Sequence, residues 1–238
     1  MTPLTVGSLF SGIGGFELGL ERTGGFKTVW QCEIDPFCLK VLEKHWPGVK
    51  RFADIKKMGV EEEIPHVDVI CGGFPCQDIS CAGKGAGIHA ERSGLWWEML
   101  RVVRLVRPRY VLVENVAALL NRGLDEVLGS LAESGYDAEW ACIPAASVGA
   151  PHFRDRIFII SYPMRQRFEG NQKAAYARIP MFEKSSCPWS TEPPAIRVAN
   201  GFSSRVDRLR ALGNAIVPQC AQFVGQCLLD STRTEAAQ

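Results

Sequence analysis

At 238 residues, 46% of them hydrophobic and 22% charged, the chain can bury one full domain and a small appendage, with an ordinary globular composition. No apolar run approaches the roughly 20 residues that cross a bilayer, and Met1 to Thr5 lack the basic-then-apolar order of a secretory signal. The net charge of +1 says nothing about nucleic acid, but residues 1–150 carry 15 Lys and Arg against 19 Asp and Glu, and residues 151–238 carry 12 against 7.

The chain opens with a strand over Thr5 to Phe10 that runs into the glycine turn Ser11-Gly12-Ile13-Gly14-Gly15. A helix through Phe16 to Arg22 follows and stops at Gly24-Gly25. Lys27 to Glu33 reads as the next strand. Asp35 before Pro36 is an N-cap with proline at the first helical position, opening a helix with Phe37, Val41 and Leu42 inward. Arg51-Phe52-Ala53 is a third strand end, just before Asp54 and Ile55. Val67 to Cys71, Tyr110 to Glu114, Asp137 to Ile143 and Arg156 to Ser161 complete the strands. Between them Leu95, Trp96, Met99, Leu100, Val103 and Val106 recur at helical spacing, with Arg101 and Arg104 on the opposite face, and Leu124, Val127, Leu128 and Leu131 mark another helix. Regular alternation of this kind predicts an α/β domain, a mostly parallel sheet covered by helices on both faces.

The alternation stops after Tyr162-Pro163. Residues 164–204 are rich in proline and basic residues, with little periodicity, and read as a loop-rich insert. Helical character returns near Val206 and again from Ala215 to Leu229. The expected organisation is a catalytic domain over 1–163, a reduced recognition region over 164–204, a helical segment over 205–230 packing back on the first domain, and a frayed tail over 231–238.

The nine cysteines show no zinc spacing and no disulfide framework, so reduced thiols are expected, with Cys32, Cys38, Cys142, Cys220 and Cys227 as small core residues. Cys76 stands apart. It follows the strand Val67 to Cys71, the exit Gly72-Gly73 and the rigid Pro75, within Gly73-Phe74-Pro75-Cys76-Gln77-Asp78-Ile79-Ser80. Glu114 ends the strand Tyr110 to Val113. Adjacent parallel strands would bring that thiol and that carboxyl together at the sheet's carboxyl edge, where open α/β sheets bind ligands. A thiol nucleophile beside a proton donor suits covalent attack on an electron-poor ring. Cys81 is a rival thiol, but it lies in the glycine-rich stretch Ser80 to Gly87, which suits a closing loop or a plain surface loop. Glu114 can equally pair with an arginine, and Arg154 and Arg156 are at hand; a carboxyl kept protonated there would donate to a ring nitrogen. The turn at Phe10 to Gly15 lacks the third glycine of a dinucleotide cradle. With Glu33 and Asp54 at the next two strand ends, it matches a nucleoside site without phosphates.

In this order the segments resemble the motif series of DNA cytosine-5 methyltransferases. The series runs from Phe10–Gly15 through Glu33-Ile34, Asp54-Ile55, Pro75-Cys76-Gln77, Leu95-Trp96-Trp97, Glu114-Asn115-Val116 and Arg154-x-Arg156 to Leu212-Gly213-Asn214-Ala215-Ile216-Val217-Pro218. The resemblance is strongest to compact enzymes of phage or prophage type. It implies a Rossmann-like S-adenosylmethionine-dependent methyltransferase fold with a small, loop-rich target-recognition insert. It implies Cys76, Glu114, Arg154 and Arg156 as catalytic residues acting on a flipped cytosine, and no metal. The implied S-adenosylmethionine site comprises Phe10, Ser11, Gly12, Ile13, Gly14, Glu33, Ile34, Asp54, Ile55, Pro75, Leu95, Asn214 and Ala215. Gln77, Ser80, Lys84, Arg165 and Arg167 are assigned to double-stranded DNA. A monomer in the cytoplasm or nucleoid, with a cognate restriction endonuclease as partner and no membrane contact, completes the implied picture. Two features depart from the family: His152 stands where glutamine is usual, and only about forty residues serve as the recognition region. A tRNA cytosine-5 methyltransferase on the same scaffold is a rival, though its Cys-Phe-Thr signature is absent. A non-catalytic DNA-binding descendant is another, opposed by the intact Cys76 and Glu114.

Overall fold

The computed structural model describes residues 2–75, 94–164 and 205–236. Among these, seven strands form one sheet: β1 (Leu4–Leu9), β2 (Phe26–Cys32), β3 (Lys50–Phe52), β4 (Val69–Gly72), β5 (Tyr110–Val116), β6 (Tyr136–Pro144) and β7 (Asp155–Pro163). Their order is β3-β2-β1-β4-β5-β7-β6. The first five strands are parallel, as the alternation predicts, while β7 runs antiparallel to both neighbours, β5 and β6. The helices are α1 (Gly15–Glu21), α2 (Pro36–His45), α3 (Leu95–Val106), α4 (Leu124–Glu133), α5 (Arg205–Asn214) and α6 (Pro218–Ala236). No helix among the described residues is long and apolar enough to cross a membrane.

Strand residues alternate between two core layers. Val111 and Val113 join Leu9 and Trp30 against Trp96, Met99 and Val103 of α3 and Val127 and Leu131 of α4. Val6, Val69, Leu112 and Phe158 pack instead against Phe16 and Leu20 of α1 and Ala221, Val224 and Leu228 of α6. Asp35 caps α2 as expected, accepting the Phe37 and Cys38 N–H groups at 2.8 and 3.2 Å. Burial on α2 centres on Cys38 and Leu42, with Phe37 and Val41 half-buried.

Small residues set how closely α1 and α6 approach. A Cβ on Gly15 would stand 2.5 Å from the Ile216 carbonyl, and one on Gly19 would stand 2.2 Å from the Pro218 carbonyl. The carboxyl-terminal segment therefore lies directly on the glycine turn. Helix α6 also runs on to Ala236, past the boundary expected at 230. Its last turns are supported locally: the Ser231 and Thr232 hydroxyls donate to the Leu228 and Leu229 carbonyls at 2.7 and 2.8 Å. On the face of α3 opposite its apolar stripe, Arg104 donates to Ser134 Oγ at 2.8 Å and Arg101 to the Met58 carbonyl at 2.7 Å.

Beneath the glycine turn lies a buried polar cluster. Glu17 of α1 and Gln31 of β2 have no solvent exposure, and Gln31 Nε2 donates to Glu17 Oε1 at 3.0 Å. Glu17 Oε2 and Gln31 Oε1 have no partner. Burial raises the Glu17 pKa above the usual carboxylate value, with the Gln31 hydrogen bond working against the shift. A proton on Oε2 turns one orphan acceptor into a donor for its neighbour, so the neutral acid suits this site.

A group held neutral by the fold stabilises it most below its unfolded pKa, and that contribution is lost as pH rises through the higher folded value. Glu17→Gln, which keeps an acid-like shape without charge, is expected to fold as well as the parent at about pH 5 and better at alkaline pH. Glu17→Ala strands the Gln31 amide and costs about 1–3 kcal/mol. Urea unfolding of all three proteins across pH checks this. Equal losses for the two variants would mean that Glu17 acts as an anion.

Candidate active site

The strand order strings the candidate residues along one edge of the sheet. Asp54 follows β3, Glu33 follows β2, Phe10 to Gly14 follow β1, Gly73 to Pro75 follow β4, and Glu114 lies near the end of β5. Because β7 is antiparallel, its beginning reaches the same edge and brings Arg156 there. A cavity of about 490 Å³ runs along this edge. Its wall includes Phe10 and Gly12 from the glycine turn, Glu33 and Ile34, Asp54 and Ile55, Pro75, and Leu95 at the start of α3. Glu114 and Arg156 line it under β5 and β7, and Asn214 lines it from the end of α5.

Glu33 is fixed by three backbone donors. Gly12 N–H donates to Oε2 at 2.7 Å, and the Ile34 and Asp35 N–H groups donate to Oε1 at 2.8 Å each. This ties the glycine turn to the end of β2. Gly14 has a φ of 87°, which a residue with a side chain rarely adopts, and a Cβ there would run into the Trp46 ring. Asp54 Oδ1 accepts the Lys56 N–H at 2.9 Å, closing a short turn. Ile34 is 71% exposed, leaving an apolar surface beside two acids. An apolar slot edged by carboxylates suits a planar base with its amino group and sugar hydroxyls.

At the other end of the cavity Glu114 is buried, and its Oε1 meets Arg156 Nε at 3.0 Å. Burial pushes its pKa up to about 7, against the opposing pull of Arg156 and then Arg154. A carboxyl with that value holds a proton near neutrality and remains able to give it up. Gly73 makes the approach possible, since a Cβ there would stand 2.7 Å from Glu114 Oε2. Asn115, also buried, donates from Nδ2 to the Phe74 carbonyl at 3.2 Å, tying the exit of β4 to β5 one residue before Pro75.

Arg154 comes just before β7, with a φ of 32°, and its side chain turns to the carboxyl-terminal segment. Nη2 donates to the Gly213 and Ala215 carbonyls at 2.9 and 2.7 Å. Arg154 thus holds the segment that carries Asn214. Of the remaining expected residues, Ser11 is bonded to Ser8 Oγ at 3.0 Å below the turn, and Ser11, Ile13, Gly14 and Ala215 do not line the cavity. Cys76, Gln77, Ser80, Lys84, Arg165 and Arg167 lie outside the described residues.

The cavity also includes residues that the sequence did not single out as site residues. Asp35 does double duty as helix cap and wall, and Arg210 of α5 stands 3.9 Å from its Oδ2 across the mouth. Cys32 and Cys38, read as core residues, are buried and also touch the cavity. Adjacency to Glu33 and Asp54 is the signal that could have found Asp35 and Lys56. Nothing in the sequence points to Arg210.

The family model for C-5 cytosine-specific DNA methylases matches residues 4–191. The type II methyltransferase M2.BsuMI of Bacillus subtilis is 39% identical over 166 residues, 66% of this chain and 42% of that protein. M1.ScrFI of Lactococcus lactis subsp. cremoris is 37% identical over 158 residues, 65% of this chain and 40% of that protein. This chain thus spans about two-fifths of the length of these relatives. Among solved structures, an E. coli prophage protein described as a DNA modification methyltransferase superposes with a TM-score of 0.59 at 25% identity, over 71% of this chain and 49% of that one. The S. pombe Dnmt2 methyltransferase superposes with a TM-score of 0.61 at 21% identity, over 76% and 57%, a likeness of fold. With its family model covering most of its length and the expected α/β sheet in place, the chain belongs to the C-5 cytosine-specific DNA methylase family.

Proposed function

We propose that this chain is a DNA (cytosine-5-)-methyltransferase that uses S-adenosylmethionine to methylate carbon 5 of a cytosine flipped out of double-stranded DNA. The observation that carries this reading is the buried Glu114, held by Arg156 in the cavity with a pKa near 7. The cofactor fits the residues present: Glu33 would take the ribose hydroxyls, Asp54 the adenine amino group, Ile34 a base face, and Asn214 the methionine part. When bound, S-adenosylmethionine supplies an electrophilic methyl group.

The chain's own residues prepare the acceptor. The Cys76 thiolate adds to carbon 6 of the ring while Glu114 gives its proton to nitrogen 3, so no bare anion builds on the ring. Arg156 has Nε committed to Glu114 and Nη1 to the Asp155 carbonyl at 2.9 Å, which leaves Nη2 for the cytosine carbonyl. Arg154 acts by holding the Asn214 segment. Once carbon 5 is methylated, water takes the carbon 5 proton as the Cys76–carbon 6 bond breaks and the thiolate leaves, and Glu114 takes back the proton on nitrogen 3, which restores the ring. Gln77, Ser80 and Lys84 are assigned to the DNA backbone, and residues 164–204, with Arg165 and Arg167, to reading the target. The type II relatives support a cognate restriction endonuclease as partner, and we take the chain to act as a monomer.

Cys76→Ser is expected to abolish methyl transfer, while Cys81→Ser leaves most of it. DNA carrying 5-fluorocytosine should trap a covalent adduct, because the carbon 5 proton can no longer leave. An adduct that persists in Cys76→Ser would falsify the nucleophile assignment. Glu33→Ala is expected to weaken S-adenosylmethionine binding about tenfold, the loss of a charge-assisted hydrogen bond. Calorimetry on the folded variant measures this, and unchanged affinity would move the cofactor elsewhere. Arg156→Ala removes the strongest pull that lowers the Glu114 pKa, so the value rises further above about 7. The rate should fall, yet the alkaline limb of the kcat/KM profile should shift to higher pH, because the acid form persists longer. An unshifted limb would assign that ionisation to another group.

A further inference from the structure

We propose that Arg101 is a positioning residue that sets adenine selectivity by fixing the turn carrying Asp54. The proposal rests on the reading of Asp54 as the partner of the adenine amino group. Strand β3 has three residues and, among the described residues, lies at the edge of the sheet, paired only with β2. A strand that short gives its exit turn little support from the ladder. The turn itself is closed by the Lys56 N–H to Asp54 Oδ1 at 2.9 Å, the Lys57 N–H to the Asp54 carbonyl at 3.1 Å and the Met58 N–H to the Ile55 carbonyl at 3.3 Å. Ile55 and Met58 bury their side chains in the core beneath it, and the guanidinium of Arg101 ties the turn's backbone to α3.

Arg101 Nη2 donates to the Ile55 carbonyl at 2.6 Å and Nη1 to the Met58 carbonyl at 2.7 Å. Nε donates to Glu98 Oε2 at 2.8 Å, one turn earlier on α3. The planar fork thus spans two carbonyls of the turn while its third nitrogen is held from its own helix. Such geometry sets direction as well as distance, and an ammonium on a flexible stem cannot reproduce it. Asp54, Ile55 and Lys56 line the cavity at one end of this link, and Leu95 of α3 lines it at the other. The same helix is anchored by Trp96, whose Nε1 donates to Ser130 Oγ at 3.0 Å. Arg101 therefore couples the backbone of this turn, and with it the direction of Asp54, to the α3–α4 layer. It touches no reacting atom and acts through Asp54.

The test compares binding of S-adenosylhomocysteine and its inosine analogue, in which an oxo group replaces the adenine amino group. The parent chain should prefer the adenine form by about tenfold or more, the value of one charge-assisted hydrogen bond. In Arg101→Ala the adenine form should weaken far more than the inosine form, so the preference collapses toward unity. Arg101→Lys should recover only part of it, and Glu98→Gln, a gentler change, should lower it in a protein that keeps its melting temperature. General loosening of the fold would weaken both ligands equally. An undiminished preference in Arg101→Ala, or in Glu98→Gln if the alanine variant does not fold, overturns the proposal. A parent chain with no preference would instead refute the Asp54 reading, a result distinct from failure of the Arg101 variants.

Discussion

The pairing of β4 with β5 is the constraint on which the site depends. Gly72 lies opposite Val113 in a parallel ladder, so β4 leaves the sheet beside Glu114, which β5 still carries in its pairing with β7. The turn leading to Cys76 and the carboxyl of Glu114 are thereby delivered side by side, whatever the loops beyond them do. The approach is so close that a Cβ at 73 would stand 2.7 Å from Glu114 Oε2 and displace that carboxyl from its present position. Asn115 then spends its own side chain on the Phe74 carbonyl, so the exit of one strand is held by the exit of the other. Burial of Glu114 follows from this closeness, and the raised proton affinity follows from burial.

A second group of contacts divides the cavity into two halves of different chemistry. Under β1 to β3 the wall is acidic and partly apolar, with Glu33 locked by backbone N–H groups and Ile34 open. Under β5 and β7 it holds one carboxyl matched to one guanidinium. The reversed direction of β7 is what allows the second half to exist. A parallel β7 would have carried Arg156 to the far edge of the sheet.

Much of this was legible in the sequence because it is written in local patterns. Apolar runs ending in Gly-Gly or Glu-Asn announced β4 and β5, and Asp35-Pro36 announced α2. The acids at 33 and 54 stand where strand ends must be. What was not legible depends on long-range geometry. No periodicity reveals that β7 runs backward, since a strand reads alike in either direction. Arg101 and Arg104 fall on the polar side of α3, where charge normally means solvent, and only the tertiary structure shows Arg101 gripping two carbonyls. Arg154 was singled out by its place in a motif, and nothing in that motif showed its tie to Gly213 and Ala215. The extension of α6 to Ala236 escaped because its polar last turns lack an apolar stripe.

The contact between Gly15 and Ile216 joins points about 200 residues apart, and loop-closure entropy must be overcome before that contact contributes. The glycine turn and its strand form early in the chain, but the wall that Gly213 and Asn214 provide has to arrive from the far end. A nascent chain can therefore complete most of its sheet while the cavity still lacks one side. Ligand capture becomes a late event, coupled to docking of α6 on α1. A ligand that needs that wall would bind the finished fold and not its precursors, and would pull the last step of folding forward by mass action.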